Sequence, residues 1–202
     1  GNASAGTANA SASKPEPAPA PAKDGKGGKD KEQAGPLTEQ QIKDKILTAQ
    51  SSMVGGNWQA AATALEEVLR EPNLKGEPRE ETLYSLADTY MQLYKDSLAK
   101  NYDRATGAQH AAMNANMKSM RVPRALFNLG LINLKVGNLA EAKAYFNIIN
   151  KKYSTDQSAA LIPYYMGEHD RAKGELQKAA DQYNTLVQKF PDSRPVKEAA
   201  YT

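Results

Sequence analysis

The chain has 202 residues, a formal net charge of +3 and no cysteine. The absence of thiols excludes disulfides, thiolate metal sites and a cysteine nucleophile, and so small a net charge argues against a general polyanion binder. No apolar run approaches the roughly 18 residues needed to span a bilayer.

Residues 1–36 differ in composition from the rest. GNASAGTANASAS is small and polar, KPEPAPAPAK alternates proline with small or charged residues, and DGKGGKDKEQAG is charged and glycine-rich. With almost nothing apolar to bury, ordering has no compensation, so a disordered linker is expected over 1–36, acting as a tether. Order is expected from Leu37 to Thr202. Thr38 and Gln41 form a Thr-x-x-Gln capping box, with Leu37 placed as a hydrophobic staple.

From there the periodicity is helical, and no period-two run is long enough for a strand. A turn recurs. Gly56-Asn57, Gly137-Asn138 and Gly174-Glu175 each divide two amphipathic stretches. Glycine reaches the left-handed conformation that ends a helix without a Cβ clash. Five residues after each glycine stands Ala61, Ala142 or Ala179, and four further on Leu65, Phe146 or Tyr183. A weaker copy carries Ala87 and Ala105, with about six extra residues. Its first helix is longer or its turn is an expanded loop. Four helix pairs are expected, at 38–54/58–70, 79–98/102–119, 123–136/139–152 and 160–173/176–189. Small residues are required where antiparallel backbones approach. Ala49, Ala87, Gly130 and Gly167 supply them on the first helices, and Ala61, Ala105, Ala142 and Ala179 on the second. Leu65, Phe146 and Tyr183 are expected to fill the gap to the next pair, so that stacked pairs bury a continuous core.

This spacing resembles the tetratricopeptide repeat, a helix-turn-helix unit with a period near 34 residues. ALFNLGLINLKVGNLAEAKAYF follows the family pattern over a whole unit, and Pro191 stands where the repeat-ending proline falls. The resemblance implies an all-α, right-handed α-solenoid of about four tetratricopeptide-like pairs. One departure is Pro163, early in a first helix. Proline is tolerated only in a helix's first turn, so a late start is expected there. KYSTD and FPDSRPVKEA resemble the repeat ends of bacterial envelope proteins such as the Tol–Pal system coordinator and the lipoprotein of the barrel-assembly machine. That likeness implies a tethered protein of the periplasm or cell envelope, with any membrane attachment through an anchor outside this chain; a cytoplasmic protein is the alternative.

The family's binding surface is a concave groove lined by first helices. Carried over position by position, it contains Ile46, Tyr84, Phe127 and Tyr164, then Gln50, Asp88, Leu131 and Glu168, then Met53, Met91, Leu134 and Arg171. Tyr84, Phe127 and Tyr164 form an aromatic ladder that anchors a peptide, or else belong to the core between helices. The Lys/Asn pattern that clamps a terminal carboxylate is absent. Met113, Met117 and Met120 form a helical stripe, read as ordinary core with an adaptable surface as the alternative. Trp58, after the first turn, is read as core.

His110 and His169 are the only histidines. Glu168, His169 and Asp170 are adjacent, and neighbouring helical residues point in different directions, so they make no metal cluster. No His-Glu-x-x-His, phosphate-cradling glycine loop or Gly-x-Ser-x-Gly is present. The expected function is therefore a non-catalytic interaction scaffold that holds a protein or peptide partner, without cofactor or metal and without nucleic acid. Self-association into a homo-oligomer is the rival, with an enzyme-associated accessory domain as a further alternative. At the C-terminus, Ser193 is expected to cap a short helix over 195–202 packed on the fourth pair, as the start of a fifth unit. Tyr183, Leu186 and Val187 would then lie on an uncovered end that favours association between copies.

Overall fold

The computed structural model describes residues 35–199, which lie in one compact unit, Gly35–Thr202. The linker expected over 1–36 lies outside the described residues except for Gly35 and Pro36, both exposed.

Among the described residues the secondary structure is entirely helical. Four pairs follow one another: α1 (Glu39–Val54) and α2 (Trp58–Leu69), α3 (Gly76–Leu93) and α4 (Tyr102–Ala115), α5 (Val122–Lys135) and α6 (Leu139–Lys152), α7 (Gln157–Ala172) and α8 (Leu176–Lys189). A short α9 (Arg194–Ala199) comes last. Each helix from α1 to α8 packs on the next, and α5 also packs on α7. Pairs therefore stack, and each covers an apolar face that its neighbour could not bury alone.

The local signals explain the starts. The Thr38 side chain accepts from Gln41 N–H at 3.2 Å while Gln41 Oε1 accepts from Thr38 N–H at 2.9 Å, a closed capping box. Asn57 caps α2 and Asp156 caps α7 through their side-chain oxygens. Three turns share one geometry. Gly56, Gly137 and Gly174 have φ of +73°, +89° and +77°. The N–H of the following residue donates back to the carbonyl of Ser52, Asn133 or Asp170 at 2.8–2.9 Å, closing the last helical turn. The α3–α4 connection has no glycine and takes eight residues, Tyr94 to Asn101, where the others take three. Leu98 pins it from within, buried against Ala105 and Ile132.

The small-residue positions are buried as expected: Ala49, Ala61, Ala87 and Ala142 are fully covered, and Ala105 and Ala179 nearly so. Of their larger partners, Leu65 packs towards the next pair as expected, against Leu86 and Tyr90. A Cβ placed on Gly130 would strike the ring of Phe146, and one on Gly167 would lie 2.6 Å from Tyr183 Cε1. The rings thus plug a seat within their own pair, and Phe146 also shares a core cluster with Ala159, Ile162 and Met166 of the next pair. In the second pair the plug position is Gln109, buried, whose amide donates to the Ala87 carbonyl at 3.2 Å.

Other expectations need correction. α3 runs from 76 to 93 and α4 stops at Ala115, so Met117 and Met120 leave the helix and are exposed, and only Met113 is core. Trp58 is half-buried and outside the core clusters. α7 starts at Gln157, with Pro163 inside it. The Asp156 cap sets that start, and burial of Ala159, Ala160 and Ile162 holds the turn before the proline against its local cost. Ser193 does precede a short helix, but its hydroxyl is buried without a partner and makes no cap bond. Leu186 is buried and Val187 exposed; residues 200–202 lie outside the described residues.

Candidate functional site: the face of the first helices

The first helices α1, α3, α5 and α7 carry the positions singled out as groove. The structure does not present them as a continuous aromatic ladder. Tyr84 and Phe127 are 4% and 6% exposed, and Leu131 and Leu134 are also core; Tyr164, at 37%, is the one ring of the three that reaches solvent. The reason is the place of α5. Eleven of its 14 residues are buried, because α4, α6 and α7 pack around it, and only Arg124, Asn128 and Lys135 are not covered. Phe127 packs against Phe146 at 5.9 Å and edge-on to Tyr165 at 5.6 Å, while Tyr165 meets Tyr164 at 5.2 Å. Met91 is half-buried against the same core.

On α7, Glu168 and Arg171 are tied to each other at 2.7 Å, and Glu168 also accepts from the Tyr183 hydroxyl at 2.5 Å. The hydrogen bonds from Arg171 and Tyr183 hold the Glu168 carboxyl below the usual carboxylate range. These residues fasten α7 to α8, and their side chains are committed.

The opening lies at the other end. A cavity of about 260 Å³ sits between α1, α3 and the start of α5, lined by Ile46, Gln50, Met53, Tyr84, Asp88, Arg121 and Arg124 among others. Three α1 groove positions and two α3 positions thus meet in one recess. Asp88 pairs with Arg124 at 2.6 Å. Burial pushes the Asp88 carboxyl up, and Arg124, with Asn128, opposes the shift. Arg121 lies over the Tyr84 ring, 5.8 Å from its centroid, and reaches Glu80 and Glu81 at 3.5 and 3.1 Å. Glu80 also accepts from Ser119 Oγ at 2.5 Å and Asn116 Nδ2 at 3.0 Å. This latch fixes the α4–α5 connection on α3 and so sets where Arg121 stands.

Sequence reasoning missed Arg121 and Arg124. The available signal was interval: they stand 37 and 36 residues after Tyr84 and Asp88 (121 − 84 and 124 − 88), about one repeat on. The long α3–α4 loop obscured that register. His110 and His169 are not brought together. His110 Nε2 lies 3.4 Å from the Tyr145 hydroxyl, and His169 Nε2 is buried without a partner. Among the described residues no group of three His, Asp or Glu could hold a metal ion.

Fold and face together define a helical-repeat protein whose first helices present a recess. Residues 124–156 and 164–193 match the tetratricopeptide repeat family. These segments overlap the α5–α6 and α7–α8 pairs, which are therefore similar to tetratricopeptide repeats. Repeats of this family commonly mediate protein–protein interactions, and the family is generally a non-catalytic scaffold. No curated protein matches the chain.

Proposed function

We propose that this protein is a non-catalytic scaffold that captures an extended peptide segment of a partner across the α1–α3–α5 face. The observation that carries the reading is the recess itself. It collects groove positions of two successive repeats, and it offers Gln50, which is exposed and has no hydrogen bond among the described residues, beside the half-buried Asp88. An unpaired amide next to a partly desolvated carboxylate suits the backbone and side chains of an extended ligand. Peptides selected from a random display library should cross-link to α1 and α3 and lose affinity by about 1 kcal/mol or more when Met53→Ala or Gln50→Ala is introduced. Cross-links confined to α2, α4 and α6 would sink the proposal.

The setting proposed is the bacterial envelope, tethered through the Pro/Ala/Lys-rich residues 1–36. It is supported by that composition and by the repeat-end sequences KYSTD and FPDSRPVKEA. Fractionation of cells expressing the parent gene tests it; recovery with cytoplasmic markers alone would count against it.

A further inference from the structure

We infer that two copies of this chain associate through α8, whose uncovered apolar stripe meets the same stripe of the second copy in antiparallel register. The inference goes beyond the peptide-capture reading and does not rest on it, because the recess lies on α1, α3 and α5.

The stripe is the first ground. Leu176, Ala180, Tyr183 and Val187 follow one another at helical spacing and fall within about 60° of arc on α8. Leu176 and Val187 are 67% and 55% exposed, and Ala180 is exposed too. The register of Ala61, Ala105, Ala142 and Ala179 aligns Ala180 with Ala62, Thr106 and Lys143, and Val187 with Leu69, Met113 and Asn150. On α2 and α4 these positions are covered by the helix that follows. Ala62, Thr106 and Met113 are buried, and Leu69 is half-buried against the cluster that holds Leu86 and Tyr90 of α3. On α6 they are exposed, and they are polar. Of the second helices, only α8 keeps apolar residues at both positions while leaving them exposed, which is the composition of a face that a partner covers.

Symmetry is the second ground. A contact between identical faces about a twofold axis sets residue i against j and j against i. The stripe satisfies this about the midpoint between Ala180 and Tyr183. Leu176 and Val187 lie equally far from that midpoint on either side, so two antiparallel copies place Leu176 against Val187 twice and seat the small Ala180 against the Tyr183 ring twice. Charge is the third ground. Near a twofold axis a charged side chain meets its own copy, which is repulsive. The residues nearest the stripe on its open side are Gln177, Asn184 and Gln188, exposed and uncharged, while Lys178 and Asp181 lie further round the helix. A strongly charged partner would find no counter-charge beside the stripe, whereas a second copy needs none. The Tyr183 ring also loses little freedom on association, because it is seated on Gly167 and its hydroxyl is held by Glu168.

The test uses the full chain, which has no cysteine, so that introduced thiols report position. Sedimentation equilibrium is expected to show a reversible monomer–dimer equilibrium. Val187→Glu should weaken it by about tenfold or more, since a charge would be buried against Leu176 of the second copy. Its melting temperature should match the parent's at concentrations where both are monomeric. Lys143→Glu, on the exposed polar face of α6, should leave the equilibrium unaltered. The register is read from disulfides, in a second experiment that does not depend on the glutamate variant. When Leu176→Cys and Val187→Cys chains are mixed and mildly oxidised, the mixed disulfide should dominate. Two like cysteines would lie about 16 Å apart along the helix axes, too far to bridge. A monomer at every concentration, an association that Val187→Glu leaves intact, or like disulfides as abundant as the mixed one overturns the inference.

Discussion

The two halves of the repeat array solve the same packing problem with different chemistry. In α5–α8 the plugs are rings seated on glycine, Phe146 on Gly130 and Tyr183 on Gly167, and the pairs are joined by the Phe127–Tyr165 contact. In α1–α4 the seats are alanines and polar groups hold the structure. Gln109 donates to the Ala87 carbonyl, the Tyr90 hydroxyl donates to Glu66 at 2.6 Å with Arg104 alongside, and Lys45 meets Glu67 at 2.5 Å. The family match follows the same division, covering α5–α8 and not α1–α4. An alanine seat lacks the depth for a ring, so the plug becomes smaller or polar, and the sequence drifts from the family pattern while the helix-pair geometry persists. The recess lies towards the polar half, where Asp88 and Arg124 are partly open to solvent, whereas the groove positions of α5 are filled by core side chains.

If ring-on-glycine packing dominates the second half, Phe146→Ala should be the most damaging change, at about 3–5 kcal/mol in chemical denaturation. A loss below 1 kcal/mol would mean that the seat collapses freely and the halves do not differ. Gly130→Leu comes next, at about 1–3 kcal/mol or more, because the added side chain must displace the Phe146 ring. The double variant Gly130→Ala/Phe146→Leu should recover part of the loss of Gly130→Ala, which converts this pair to the style of the first. A melting curve for the double variant no better than for the single one would show that ring size is not the conflict.

Acid should weaken the Glu80 latch of the first half. Hydrogen bonds from Ser119 and Asn116, with Arg121 nearby, hold the Glu80 carboxyl below its ordinary value near 4.5. A carboxylate whose folded-state pKa is depressed stabilises the fold above its unfolded value, and that contribution is lost as pH falls through the folded value. The stability gap between the parent and Glu80→Gln should therefore be present at neutral pH and narrow progressively below about pH 4.5. The gap is read from urea midpoints; a constant gap across the acid range would rule out the latch as an ionised one.

The smallest effect is expected at Gln109. The Ala87 carbonyl is already an acceptor inside α3, so Gln109→Leu removes donor and desolvation cost together and should change stability by less than about 1 kcal/mol. A loss of 2 kcal/mol or more would make Gln109 a specific polar strut rather than a filler.

The sequence by itself determined the pair boundaries wherever a local signal existed. The Thr38 box and the glycines at 56, 137 and 174 act through backbone conformation and neighbouring hydrogen bonds, which a short stretch contains in full. The alanine and glycine seats were also legible, because close helix approach leaves a periodic signature. Pro163 was misread because its cost is local while what offsets it is the burial of Ala159, Ala160 and Ile162 by other helices. For the groove positions on α5, the choice between groove and core lay beyond the sequence for a related reason. Position within a repeat gives the direction of Phe127, Leu131 and Leu134, but only the stack decides that α4, α6 and α7 cover most of α5. The recess at Asp88 depends on Arg121 and Arg124 arriving from the next repeat, held there by Glu80, Ser119 and Asn116. Those contacts span about 36 to 41 residues. No window of helical periodicity contains both partners, so tertiary packing alone sets which charges meet.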